Sequence, residues 1–136
     1  NQDKILYNSQ HKLEESLLGF AQNADLIIQR VSKFVMDKSK LGKVCLWGAG
    51  AKGMMCCNIF DLENKYIDSV VDIRENKHNT YIAGTGHVVI NPQEILSREI
   101  RCVIILNRNY ACEIAAMIKN IDSSIEIFEI DEIINM

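Results

Sequence analysis

No apolar run in this 136-residue chain approaches the ~20 residues that a bilayer-spanning helix needs. The opening residues Asn1-Gln2-Asp3-Lys4 are polar and hold no signal-peptide core. Both absences point to a cytoplasmic protein without membrane contact. Positive charge is not in excess either: the formal net charge is −3 and the pI is near 5.6. With no basic face to neutralise phosphates, a general nucleic-acid binder is excluded. No C-x-x-C pair occurs among Cys45, Cys56, Cys57, Cys102 and Cys112, and His11, His78 and His87 share no metal-ligand spacing with them. Four of these cysteines fall inside apolar patterns, which reads as buried, reduced thiols and not as a zinc or redox site; no metal is expected. Catalytic signatures are missing as well. There is no G-x-S-x-G nucleophile elbow, no Lys-Ser/Thr ending to a phosphate loop, and no carboxylate pair forced together by spacing. A binder is expected, not a complete catalyst. The chain also starts without Met, which fits a piece of a longer polypeptide.

What is present is a hydrophobic content of 48%, enough at this length for one well-filled core. The most informative stretch runs from Lys43 to Gly53. The apolar run Val44-Cys45-Leu46-Trp47 ends in Gly48, Gly50 and Gly53, which have the G-x-G-x-x-G spacing, and a helical pattern follows. The first glycine permits a tight turn, the second lets an anionic ligand approach the backbone, and the third lets helix and strand pack closely. The helix would aim its free N–H groups and positive dipole end over that turn. Lys52, inside the motif, either pairs a phosphate or stands solvated. Asp72 lies nineteen residues beyond Gly53 at the end of an apolar run, where dinucleotide folds place a ribose-binding acid. The other reading of Asp72 is a solvated strand end or a turn cap.

Along the chain, Asp3 to about Asp37 is helical. Leu6, Leu13, Leu17, Phe20, Ala24, Ile27, Val31 and Phe34 form one seam, broadened by Ile5, Leu18, Ile28 and Val35, with Gly19 and Asn23 as a point of weakness. It reads equally as a packing helix and as an oligomerising or domain-connecting one. Residues 1–40 are accordingly expected as that helix, and 41–136 as the main domain. Strands are expected at 44–47, 67–72, 87–90, 101–106 and 125–130. A helix is expected over 51–62, with Met54, Met55, Ile59 and Leu62 at helical spacing. A short helix should open at Asn91-Pro92-Gln93-Glu94, where an N-cap, an N1 proline and a bonding Glu coincide. A further helix is expected over 110–121, and a short terminal helix or tail over 131–136. Residues 73–86 form a polar, irregular segment in which Lys77, His78 and Tyr81 either serve a ligand or are simply solvated. This alternation predicts an α/β, Rossmann-like parallel five-stranded sheet of order 3-2-1-4-5, with helices on both faces and a long N-terminal helix before it. Its switch point would put Gly48–Gly53 and Asn107–Asn109 on one crevice.

Several of these pieces resemble one family. Trp47-Gly48-Ala49-Gly50-Ala51-Lys52-Gly53 is close to a Y-G-A-x-x-K-G turn, and Val71-Asp72 with Lys77 to a V-V-D-x-x-x-x-K element. Tyr81-Ile82-Ala83-Gly84-Thr85, then Ile90-Asn91-Pro92-Gln93-Glu94, match Y-L-P-G-T and a P-x-E-L helix; Asn109 to Ile114 matches W-N-x-x-x-E-I. From Val44 to about Ile114 the sequence therefore resembles the C-terminal domain of sugar C-methyltransferases acting on nucleotide-linked deoxysugars. Trp47 replaces the family's Tyr, Arg108 its Trp and Ala83 its Pro, and Gly86 is an extra residue before His87.

The resemblance implies a nucleotide-sugar-recognising module that binds no cofactor itself. S-adenosylmethionine and the catalytic residues would belong to a separate upstream methyltransferase domain. Gly48, Ala49, Gly50, Lys52 and Gly53 would hold phosphate or ribose, with Asp72, Lys77 and Asn109 at the rim. Trp47, Tyr81, Thr85, His87, Arg108 and Glu113 are further candidates. Two alternatives stand beside this reading: an NAD(P)-type dinucleotide-binding module, and an interaction domain whose long helix pairs two chains over a vestigial pocket.

Overall fold

A computed structural model describes residues 23–136. Within them helix α1 covers 23–39. It is followed by β1 (Lys43–Trp47), α2 (Ala51–Phe60), β2 (Ile67–Val71), β3 (Val88–Ile90) and α3 (Glu94–Ser97). The chain then forms β4 (Ile100–Ile105), α4 (Ala111–Ile121), β5 (Glu126–Glu129) and α5 (Ile130–Ile134). The five strands make one sheet of order β3-β2-β1-β4-β5, and every neighbouring pair is parallel. That is the α/β arrangement the alternation of elements predicts.

The central strands are continuously apolar because both of their faces are covered. Val44 and Leu46 of β1 join Cys102 and Ile104 of β4 in a core under α1, α2 and α5. Cys45 and Trp47 join Val103 and Ile105 in a second core under α3 and α4. The buried thiols behave as hydrophobes. Burial pushes Cys56 up to about 11 and Cys57 and Cys102 to about 12, so they are protonated, poor nucleophiles near neutrality.

In α1 the seam residue Val31 is buried together with Val35, and Ile27 and Phe34 pack against the same core. Phe34 meets Phe128 of β5 edge-on, with ring centroids 4.9 Å apart, and Lys38 pairs with Glu126 at 2.9 Å. Leu6, Leu13, Leu17, Phe20 and the weak point at Gly19 lie outside the described residues. Asn23 is the first described residue of the helix.

Helix α2 departs from expectation. Met54, Met55, Ile59 and Leu62 are all exposed, and Gly53, Cys56 and Cys57 face the sheet instead. The helix is apolar on most sides, so spacing alone did not select its inner face; the close approach at Gly53 does. The short helix after β3 forms, but it opens at Glu94 with Gln93, not Asn91, as its N-cap. In the turn before it the Asn91 side chain accepts the Glu94 N–H at 3.2 Å and donates to the Glu94 carboxylate at 3.1 Å. The segment 73–86 is less irregular than expected, holding a 3-10 turn at Glu75–Lys77 and a single bridge from Tyr81 to Val88.

Candidate functional site

β1 and β4 are neighbours, but their following helices leave in opposite directions, α2 towards β2 and α4 towards β5. A crevice of about 720 Å³ opens where they part, at the carboxyl ends of the strands. One wall is the glycine corner with the exit of β2: Gly48, Gly50, Lys52, Asp72, Ile73 and Arg74. The other is the exit of β4 with the first turns of α4: Asn107, Arg108, Asn109, Tyr110, Glu113, Ile114 and Met117. Trp47 and Leu106, both buried, line the floor.

The three glycines divide the work. Gly48 takes φ +128°, a conformation L side chains rarely adopt, and its N–H donates to the Val71 carbonyl at 2.8 Å. A Cβ on Gly53 would stand 1.9 Å from the Gly48 carbonyl oxygen, so only glycine lets α2 approach the corner. Gly50 needs neither concession. Its backbone is ordinary, and a Cβ there would meet nothing closer than Arg74 Nη2 at 3.9 Å. That open face is what a ligand touching the backbone requires. Gly50 is also the N-cap of α2 and has no side chain to cap it, so N–H groups of the first turn lack a partner within the helix.

Around the corner the polar side chains are already engaged. Lys52 Nζ donates to the Leu106 carbonyl at 3.1 Å, spanning the floor from α2 to the exit of β4. Asp72 is buried. It accepts the Ala49 N–H at 3.0 Å and the Arg74 N–H at 2.9 Å, and it holds the Arg74 guanidinium side-on through Nε at 3.0 Å and Nη2 at 2.9 Å. Burial alone would raise the Asp72 carboxyl; the Arg74 guanidinium and the two backbone donors outweigh it and hold it at about 2. Arg108 is turned away from this wall, pairing with Asp131 of α5.

The crevice thus gathers Trp47, Gly48, Gly50, Lys52, Gly53, Asp72, Arg108, Asn109 and Glu113 from the residues picked out by sequence. Ala49, Lys77 and Tyr81 do not line it; they border a neighbouring hollow of about 290 Å³ that shares Gly50 and Ala51. Thr85 and His87 line neither. His87 is completely buried at the opposite end of the sheet, with Nε2 2.8 Å from Asp61 and Nδ1 2.5 Å from the Thr85 hydroxyl. Sequence reasoning missed Arg74, Tyr110 and Met117 as lining residues. The signal for Arg74 was its place two residues after Asp72; Tyr110, Glu113, Ile114 and Met117 follow the i, i+3, i+4, i+7 spacing of one helix face. Among the described residues no cluster of metal-binding side chains occurs, and no helix is long and apolar enough to cross a membrane.

A doubly wound parallel sheet with a glycine corner at its switch point defines a Rossmann-like α/β domain with a ligand-sized crevice. More narrowly, residues 8–128 match the model of the C-methyltransferase C-terminal domain, and the chain belongs to that family. No curated protein matches the chain. Among solved structures it is similar to that of RSP, a Rex-family repressor, at 14% identity and a TM-score of 0.48. The match covers 64% of this chain and 51% of the repressor, so the chain spans about half of that structure's length.

Proposed function

We propose that the crevice recognises the nucleotide-sugar substrate of a C-methyltransferase whose S-adenosylmethionine-binding, catalytic domain is a separate unit. The observation that carries this reading is the unfilled face of Gly50 at the uncapped start of α2, opening into the crevice beside Lys52 and Arg74. A phosphoryl group fits there by charge and by approach distance. The wall formed by Tyr110, Ile114 and Met117 offers an apolar surface to a base or sugar. In this reading the domain positions substrate and contributes no catalytic group of its own. A cytoplasmic setting belongs to the same reading, and the five unpaired cysteines favour it. The dinucleotide alternative is weakened at one point: both oxygens of Asp72, the residue that would hold a ribose, are taken up by Ala49 and Arg74.

Isothermal titration with nucleoside-diphosphate sugars, beside NAD and S-adenosylmethionine, tests the proposal. Sugar nucleotides should release heat and the other two should not. Gly50→Val should abolish that heat with little change in thermal stability, because the backbone at Gly50 is already in the extended region and no neighbouring atom lies within 3.9 Å of the added Cβ. Heat from NAD or S-adenosylmethionine alone would refute it.

A further inference from the structure

Three cations line the crevice, and their tethers differ. Lys52 reaches across the floor to a carbonyl, and Arg108 leans out to α5. Arg74 is held against the glycine corner itself. Its guanidinium binds Asp72 side-on through Nε and Nη2, and the same carboxylate accepts the N–H of Ala49. Arginine, aspartate and corner therefore form one rigid unit. The carboxylate is 8% exposed while the arginine is 52% exposed, so the holder is inside and the held group faces outward. Nη2 lies 3.9 Å from the point a Gly50 Cβ would occupy. A guanidinium has five N–H donors in a planar fork; two go to Asp72, and the rest lie on edges turned away from the carboxylate. Such a fork matches the paired oxygens of a phosphoryl group.

We infer that Arg74 is the residue of this crevice that reads the phosphoryl end of its ligand, and that Asp72 positions it. This rests on the crevice being the ligand site, as proposed above. Because Asp72 offsets the charge of Arg74, the pair contributes directed hydrogen bonds more than net attraction. It selects a phosphoryl group placed over Gly50, not anions in general. The ligand's planar part then lies towards Tyr110, Ile114 and Met117 on the facing wall.

The test is a titration of the full chain with ADP, UDP, their parent nucleosides and inorganic pyrophosphate. Binding is followed through the fluorescence of Trp47, the sole tryptophan and part of the crevice floor. Arg74→Gln should weaken both diphosphates by about tenfold to a hundredfold and leave the nucleosides within about twofold. Arg74→Lys should recover only part of the loss, since an ammonium has no side-on fork. Asp72→Asn should also weaken the diphosphates selectively. Arg74→Gln binding diphosphates as tightly as wild type would overturn the assignment and leave the crevice reading intact. Equal weakening of nucleosides and diphosphates would assign Arg74 a structural role only. Wild-type protein that binds none of the probes would overturn both.

Discussion

Two aspartates in this domain are saturated with hydrogen bonds, and they serve opposite ends. Asp61, at the amino ends of β2 and β3, accepts the N–H groups of Lys65, Tyr66 and Ile67 at 2.8, 3.0 and 2.8 Å, and meets His87 Nε2 at 2.8 Å. Asp72, at the carboxyl end of β2, accepts two backbone N–H groups and a guanidinium. The difference lies in the last partner. His87 has no exposed surface, so the Asp61 cluster only closes the turn after α2 and pins it to β3. Arg74 is half exposed beside a crevice. A carboxylate whose partners all point inward locks a fold; one whose outermost partner stays at the surface leaves that group free to meet a ligand, the role proposed above for Arg74.

That contrast can be broken most sharply at Asp61. Asp61→Ala should cost about 3–5 kcal/mol of stability in urea denaturation, since it strands three backbone donors and a buried histidine. Diphosphate affinity should be unchanged under native conditions. A loss below about 1 kcal/mol would remove the distinction between lock and holder.

Acid should act on Asp72 in a defined window. Its folded-state value of about 2 lies below the usual 3.8, so its contribution is fully present above about pH 4 and is lost as pH falls towards 2. The gap in stability between wild type and Asp72→Asn should be about 1–2 kcal/mol at pH 6, allowing for the solvent around Arg74. It should close by about pH 2, followed by urea titrations at each pH. A gap that widened on acidification would contradict the sign.

The smallest effect belongs to Ser69 on β2, a buried hydroxyl with no hydrogen-bond partner among the described residues. Ser69→Ala should be neutral or stabilising within about 0.5 kcal/mol. This separates burial of a polar atom from the saturated partnerships that make Asp61 and Asp72 matter.

Much of the frame was legible because it follows from local pattern. Continuous apolar strands separated by helices predicted the sheet and its order, and the spacing of Gly48 and Gly53 predicted a corner that no other residue permits. Half of the candidate site was legible for the same reason. Residues next to that corner, such as Lys52 and Asp72, and those following β4, such as Asn109, come to the crevice with the backbone. His87 was a poor candidate only in hindsight of Asp61, twenty-six residues away in sequence. Lys77 and Tyr81 follow the turn at Glu75–Lys77 to the neighbouring hollow.

By itself, then, the sequence determined the strands and the conformation of the glycine corner, because those depend on steric limits and hydrophobic periodicity within a few residues, and the alternation of elements along the chain pointed to the strand order. The tertiary structure alone decided which face of α2 is buried, that His87 closes a turn, and that Asp72 holds an arginine. Each of these depends on which polar or apolar group lies across the gap, and that is settled only when distant segments pack together.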